Sequence, residues 1–338
     1  MSMNIDSDQP RQTEVLEVEL KIRYFIYLVL GAVTCISSSI CLIVFLSTNE
    51  LRKKYVMFSA LSVGDFLNGL SFVLAGMFRE MALFQGVYFD KMTNRGCLLQ
   101  TPWNILMIIA GQVPALLHIF VAFDRVAALQ FVTIYRKELL IFQKKTYITL
   151  TIVLTSFFII IAVVLNMYDH VQVLNDHLCS VMDSTGIYYG TIHYSLISIA
   201  YIFCFTVLGN LFRQTNKNRA PTAREIRRQR MILSLDLLSV FLVSIPNLVI
   251  ILSGWNIPKV HPFVLGFVYC LYAIHSAIPL FIYLYFRMDF RGRFIELFGW
   301  RSRSRHFRTL EKPTVTATAV TVSAASNVIA PQHLCMHQ

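Results

Sequence analysis

The side chains able to do chemistry in this sequence stand where polar groups are costly. Asp65 lies in the run Leu61-Ser62-Val63-Gly64-Asp65, and Asp236 lies a short way into another apolar run. Asp124 and Arg125 are adjacent in Ala122-Phe123-Asp124-Arg125-Val126. His118, His193 and His275 are scattered through separate apolar stretches. A lone carboxylate facing hydrocarbon costs several kcal/mol, so Asp65 and Asp236 should turn inward to polar neighbours or water. Asn68, Gly69, Phe72, Gly76 and Arg79 fall on roughly the same helical face as Asp65, which directs that stripe into a bundle. The three histidines are candidate metal ligands by type, but on three different segments they fit satisfied core side chains better than an enzyme's metal site.

The elements that must hold these groups are long and apolar. Of 338 residues, 56% are hydrophobic, too many for an ordinary soluble domain of this length. They gather into stretches of about 20 or more, the length a helix needs to cross roughly 30 Å of hydrocarbon. Helices are expected near residues 24–46, 56–78, 102–123, 147–168, 188–212, 231–253 and 263–286. Backbone exposed to lipid must satisfy its own hydrogen bonds, and no alternating strand pattern is present. The predicted fold is therefore an all-α membrane protein, a seven-transmembrane helix bundle. Phe290, Phe294, Leu297 and Phe298 recur at helical spacing among charged residues, predicting a short amphipathic eighth helix within 287–300. Residues 301–338 turn to Thr, Val, Ala and Ser without a helical period and are expected to form a disordered tail.

Cation placement sets the expected orientation. Of 30 lysines and arginines, only Arg11, Lys21, Arg23, Arg79, Lys91, Arg95 and Lys259 fall on one side. The rest crowd the opposite side, which by the positive-inside rule is cytoplasmic and leaves residues 1–23 outside. The first 23 residues hold no cleavable signal pattern, so the first helix is expected to direct insertion. A net charge of +11 would suggest nucleic acid in a soluble protein, but cations beside membrane helices point to anionic lipid, with no nucleic-acid partner expected. Cys97 and Cys179 are the two cysteines placed on the oxidising outer side, and they are predicted to be bridged.

With these marks assembled, the chain resembles the rhodopsin-like G-protein-coupled receptors across all seven helices. Within them it is most similar to the nematode serpentine chemoreceptor-type group. Gly64-Asp65-Phe66-Leu67-Asn68-Gly69-Leu70, Ala75-Gly76-Met77-Phe78-Arg79 and Gly111-Gln112-Val113-Pro114-Ala115 carry that likeness. Asp65 matches the family's sodium-site aspartate, Asp124-Arg125-Val126 its Asp-Arg-Tyr motif, Pro246 its sixth-helix proline, and Phe290-Arg291 the start of its eighth helix. Other marks depart. Ser38 or Ser39 stands for the first-helix Asn, the fourth helix has no Trp, Ser244 replaces the sixth-helix Trp, and Ile278-Pro279-Leu280-Phe281-Ile282-Tyr283 replaces Asn-Pro-x-x-Tyr.

The resemblance implies a ligand-driven receptor that activates a heterotrimeric G protein from the plasma membrane, with a sensory cilium as one setting. It assigns activation and coupling to Asp65, Asp124, Arg125, Asp236, Pro246, Pro279 and Tyr283, and allows a sodium ion near Asp65. In this scheme Asp236 stands in for the polar contact of the absent seventh-helix Asn. The outer half of the third helix, through Asn104, Met107, Ile108, Gly111 and Gln112, should line the ligand pocket with His193, Asn247, Ile251, Tyr269 and Tyr272. Met107 occupies the place where amine receptors carry an ammonium-binding Asp, which predicts a small, largely neutral ligand and excludes simple monoamines. A neuropeptide or transmitter receptor is the alternative, with acidic outer residues Asp169, Asp176 and Asp183 suiting a cationic peptide. A retinal protein would need a seventh-helix Lys, which is absent, and a transporter or channel would carry more intramembrane charge.

Overall fold

The computed structural model describes residues 9–130, 137–168, 171–174, 177–218, 223–257 and 260–299. The expected tail at 301–338, and Asp169 and Asp176, lie outside the described residues. The protein is a bundle of seven helices long and apolar enough to cross a membrane: Leu16–Leu46, Val56–Phe84, Pro102–Ala127, Gln143–Tyr168, Ile187–Lys217, Glu225–Gly254 and Phe263–Phe286. These are the first to seventh spans below. Their outward faces carry exposed Phe, Ile, Leu and Val, as hydrocarbon contact requires.

The helices run past the apolar stretches that mark them in sequence. The first begins at Gln9 and the fourth at Lys137, while the third continues to Gln130 and the fifth to Asn218. Polar residues continue the first helix because they pair one turn apart, Glu17 with Lys21 and Glu19 with Arg23. Beyond the seventh span the chain turns at Arg287 into the helix Met288–Leu297, the expected amphipathic eighth helix. Its Phe290 is fully buried against Phe45 and Tyr283, with ring centroids 5.0 and 5.7 Å away.

The first and second spans meet backbone to backbone. A Cβ on Gly69 would lie 2.8 Å from the Cys35 nitrogen, and one on Gly76 would lie 2.8 Å from the Tyr24 carbonyl oxygen. Lipid offers helices no hydrophobic drive to associate, so such close packing through small residues is what holds the pair.

One end of the bundle carries the disulfide. Cys97 is bonded to Cys179, as the sequence predicts. Cys97 lies on a separate short helix, Asn94–Gln100, ahead of the third span, whose own helix starts at Pro102. Two-residue strands Met92–Thr93 and Val173–Leu174 pair antiparallel beside it, a small ribbon at the end of the bundle. The short helix Val181–Thr185 follows Cys179, closed by a capping box in which Asp183 accepts from the Ser180 N–H. Asp124, Arg125 and the eighth helix lie at the opposite end.

Candidate functional site

A cavity opens among the second, third, fifth, sixth and seventh spans beneath the Val181–Thr185 helix. Gly111 makes room for it: a Cβ there would meet Ile197 at 2.9 Å and His193 Nε2 at 3.3 Å, so glycine lets the fifth span close on the third. Of the pocket residues predicted from sequence, Met107, Gly111, His193, Tyr269 and Tyr272 line this cavity.

The other five stand behind its wall. Gln112 donates from Nε2 to His193 Nδ1 at 3.1 Å and fixes that ring. Asn247 donates to Ser198 Oγ at 2.9 Å and to the Tyr194 carbonyl at 3.2 Å, while its own amide oxygen accepts from the Tyr272 hydroxyl. It thus joins the fifth, sixth and seventh spans through one side chain. Asn104 is spent on the start of its helix, bonding the Cys97 carbonyl at 3.0 Å and Thr101 Oγ1 at 2.6 Å. Ile108 is fully buried, and Ile251 packs against the same apolar cluster.

Sequence reasoning missed the floor of the cavity. Tyr201 and His275 line it from the fifth and seventh spans. Directly below, His118 Nδ1 hydrogen-bonds Asp236 Oδ1 at 2.5 Å, tying the third span to the sixth. Asp236 is completely inaccessible to solvent, and its second carboxylate oxygen has no partner among the described residues. The Tyr201 ring stands edge-on to His118 at 5.3 Å and to His275 at 6.1 Å, and His275 Nε2 lies 2.8 Å from Ser239 Oγ. Asp236, expected to stand in for the polar contact of the absent seventh-helix Asn, makes its contact with His118 of the third span. The seventh span's polar link to the second runs through Asn68, which donates to Ser276 Oγ at 3.0 Å and to the Tyr272 carbonyl at 3.2 Å. The histidines have separate partners, and no metal-type cluster of His, Cys, Asp and Glu occurs among the described residues.

The sixth helix is irregular beside this pair. Val240–Ser244 is wound as a π-helix, with the Ile245 N–H bonding the Val240 carbonyl, and Pro246 follows at once. A π-turn and a proline each loosen the regular ladder and locate a bend. The seventh helix breaks similarly between Ala277 and Pro279.

At the end opposite the disulfide, Arg125 pairs with Asp124 at 3.2 Å, with Asp124 nearly fully buried. Tyr283 is locked among Phe45, Phe58 and Phe290. A further knot was not foreseen: Asp289 of the eighth helix accepts from Lys54 Nζ at 2.6 Å and the Tyr55 hydroxyl at 2.5 Å. Burial pushes the Asp289 carboxyl up, but the Lys54 hydrogen bond and the charges of Arg287 and Lys54 more than offset it and hold the group below the ordinary range.

In comparison with known proteins, no family model matches the chain, and no curated protein is similar enough to count as a relative.

Proposed function

We propose that this protein is a G-protein-coupled receptor of the plasma membrane, with the disulfide end outside the cell and the Asp124–Arg125 end in the cytoplasm. Its ligand is a small non-amine chemical cue, and chemosensation is its role. The observation that carries the reading is the continuity from cavity to latch. Tyr201 lines the space where a ligand would sit and packs on His118 of the His118–Asp236 pair that joins the third span to the sixth, and His275 lines the same space and packs on Tyr201.

In this mechanism the ligand changes the packing of Tyr201 and His275, which weakens the His118–Asp236 bond. The sixth span then swings at its π-turn and Pro246, and the population shifts towards a form whose inner cleft admits the G protein. Asp124 holds Arg125 in the resting form. Asp65 and Ser276 offer carboxylate and hydroxyl oxygens that suit a hard cation such as sodium, and no step above depends on it. The exposed apolar belt and the cations of the inner face fit anionic lipid as the surrounding partner.

A ligand screen in cells carrying a promiscuous G-protein reporter tests the proposal. Arg125→Ala at equal surface expression is expected to abolish the response, and Met107→Trp to weaken it more than about tenfold by filling the cavity. Serotonin, dopamine and octopamine should be inactive, because no carboxylate lines the outer third span to pair an ammonium group. A full response from Arg125→Ala would remove the coupling role.

A further inference from the structure

A second, smaller cavity adjoins the first and shares Phe72, Met107 and Tyr269 with it. Two arginines line it, Arg23 from the first span and Arg79 from the second. In sequence these are two of the few cations on the outer side, and nothing in the activation scheme uses them.

Arg79 is only 4% exposed. Its guanidinium sits over the rings of Tyr24 and Trp103, 5.7 and 5.5 Å from their centroids. Among the described residues its one hydrogen bond is long, from Nη2 to the Cys179 carbonyl at 3.4 Å, and its buried Nε has no acceptor. Among the described residues no carboxylate lies within ion-pair distance of it. Arg23 is partly neutralised by Glu19 at 3.7 Å, yet its Nε is also buried without an acceptor. The guanidinium of Arg23 is laid across the seventh span at Gly266, where a Cβ would come 2.5 Å from Nε. The absence of a side chain at Gly266 thus lets the first span's cation reach over the cavity.

Guanidinium groups are rarely buried without an anion, because the desolvation cost is recovered only by a charged, hydrogen-bonded partner. Among the described residues the two arginines have one carboxylate within ion-pair distance, that of Glu19, while Asp183, near Tyr269, is engaged with the Ser180 N–H. The unpartnered N–H groups at Arg23 and Arg79 are donors whose geometry suits a planar oxyanion that reaches them as the side chains turn into the cavity. The adjoining aromatic cavity offers an apolar chamber to the remainder of the same molecule.

We infer that the cavity walled by Arg23 and Arg79 binds the carboxylate of a small amphiphilic organic acid, whose apolar body lies in the neighbouring chamber lined by Met107, Tyr269 and Tyr272. This rests on the receptor reading only for its consequence, since binding is measured apart from signalling. It replaces the largely neutral ligand expected from sequence with a monoanion, and accounts for the exclusion of amines by charge as well as by the missing aspartate.

The test uses the full chain in nanodiscs of neutral phosphatidylcholine, with thermal unfolding as the readout. The probes are octanoate and 4-phenylbutyrate, each beside its primary amide. The acids are expected to raise the unfolding temperature at concentrations about tenfold below those the amides need, and Arg79→Gln to abolish that difference while Arg79→Lys keeps part of it. Should Arg79→Gln fail to fold, Arg23→Gln is expected to weaken acid binding severalfold in the same assay. Equal action of acid and amide on the parent, stabilisation by neither acid, or undiminished acid binding in the arginine variants would overturn the site. G-protein nucleotide exchange in the same nanodiscs separates the two claims. Acid binding without exchange sinks the receptor reading and leaves the anion site, whereas exchange driven equally by the amide sinks the anion site alone.

Discussion

The first–second and fifth–sixth interfaces hold the same kind of element together by opposite means. The first two spans touch through glycines, with Gly31, Gly69 and Gly76 bringing main chains so close that a methyl group has no space. The fifth and sixth are joined by separate polar bonds from Asn247 and Ser244 to Ser198, beside a π-turn and a proline. Close-packed surfaces of this kind are bistable at best and do not slide, whereas a few hydrogen bonds can be exchanged for others. The contrast divides the bundle into a fixed half and a half built to change.

The largest effect should come from breaking the fixed half. Gly69→Val drives its side chain into the Cys35 backbone, and a loss of about 3 kcal/mol is expected, read as failure to reach the surface and a collapsed unfolding temperature. A well-folded variant would mean the seam tolerates separation. Next is Asp236→Leu, which leaves His118 without its partner between the third and sixth spans. A cost of about 2 kcal/mol is expected together with raised basal G-protein activity at equal surface expression, and an unchanged baseline would count against the latch.

Asn247→Leu should cost less, about 1 kcal/mol, because its bonds to Ser198, Tyr194 and Tyr272 are lost while the shape is largely kept. Its more informative signature is altered ligand potency, measured by dose response, since Tyr272 loses the partner that orients it against the cavity. The smallest change is Asp289→Asn, on the order of 0.5 kcal/mol for a partly exposed pair. Asp289 has a lowered folded value, so its stabilising contribution is complete above the ordinary carboxylate value of 3.8 and is lost as the pH falls through the folded one. Thermal unfolding of parent and variant should therefore converge in acid; a difference that persisted there would assign the effect to packing.

Much of this architecture is legible in the sequence, because span length and cysteine placement each follow from one physical constraint. The pocket is legible only in part. Helical period correctly puts Met107 and Gly111 on the inner face, but cannot tell that Asn104 is consumed by its own helix start or that Ile108 faces an apolar cluster. The Asp289–Lys54 contact spans 235 positions, beyond the reach of any local pattern. The π-turn has no signature apart from the proline after it. Arg79 was visible as a stripe residue, yet its missing counter-charge emerges only when every neighbour has a position.

The division into fixed and movable halves is tested most directly by distance. Spin labels on exposed Lys53, beside the second span, and exposed Arg227, on the sixth, report the inner opening in the parent and in Asp236→Leu. The expected result is a second, longer distance population in the variant that grows when G protein is added, while a label pair on Lys53 and Arg52 stays unchanged. A single Lys53–Arg227 distance, identical in parent and variant with G protein present, would contradict the account.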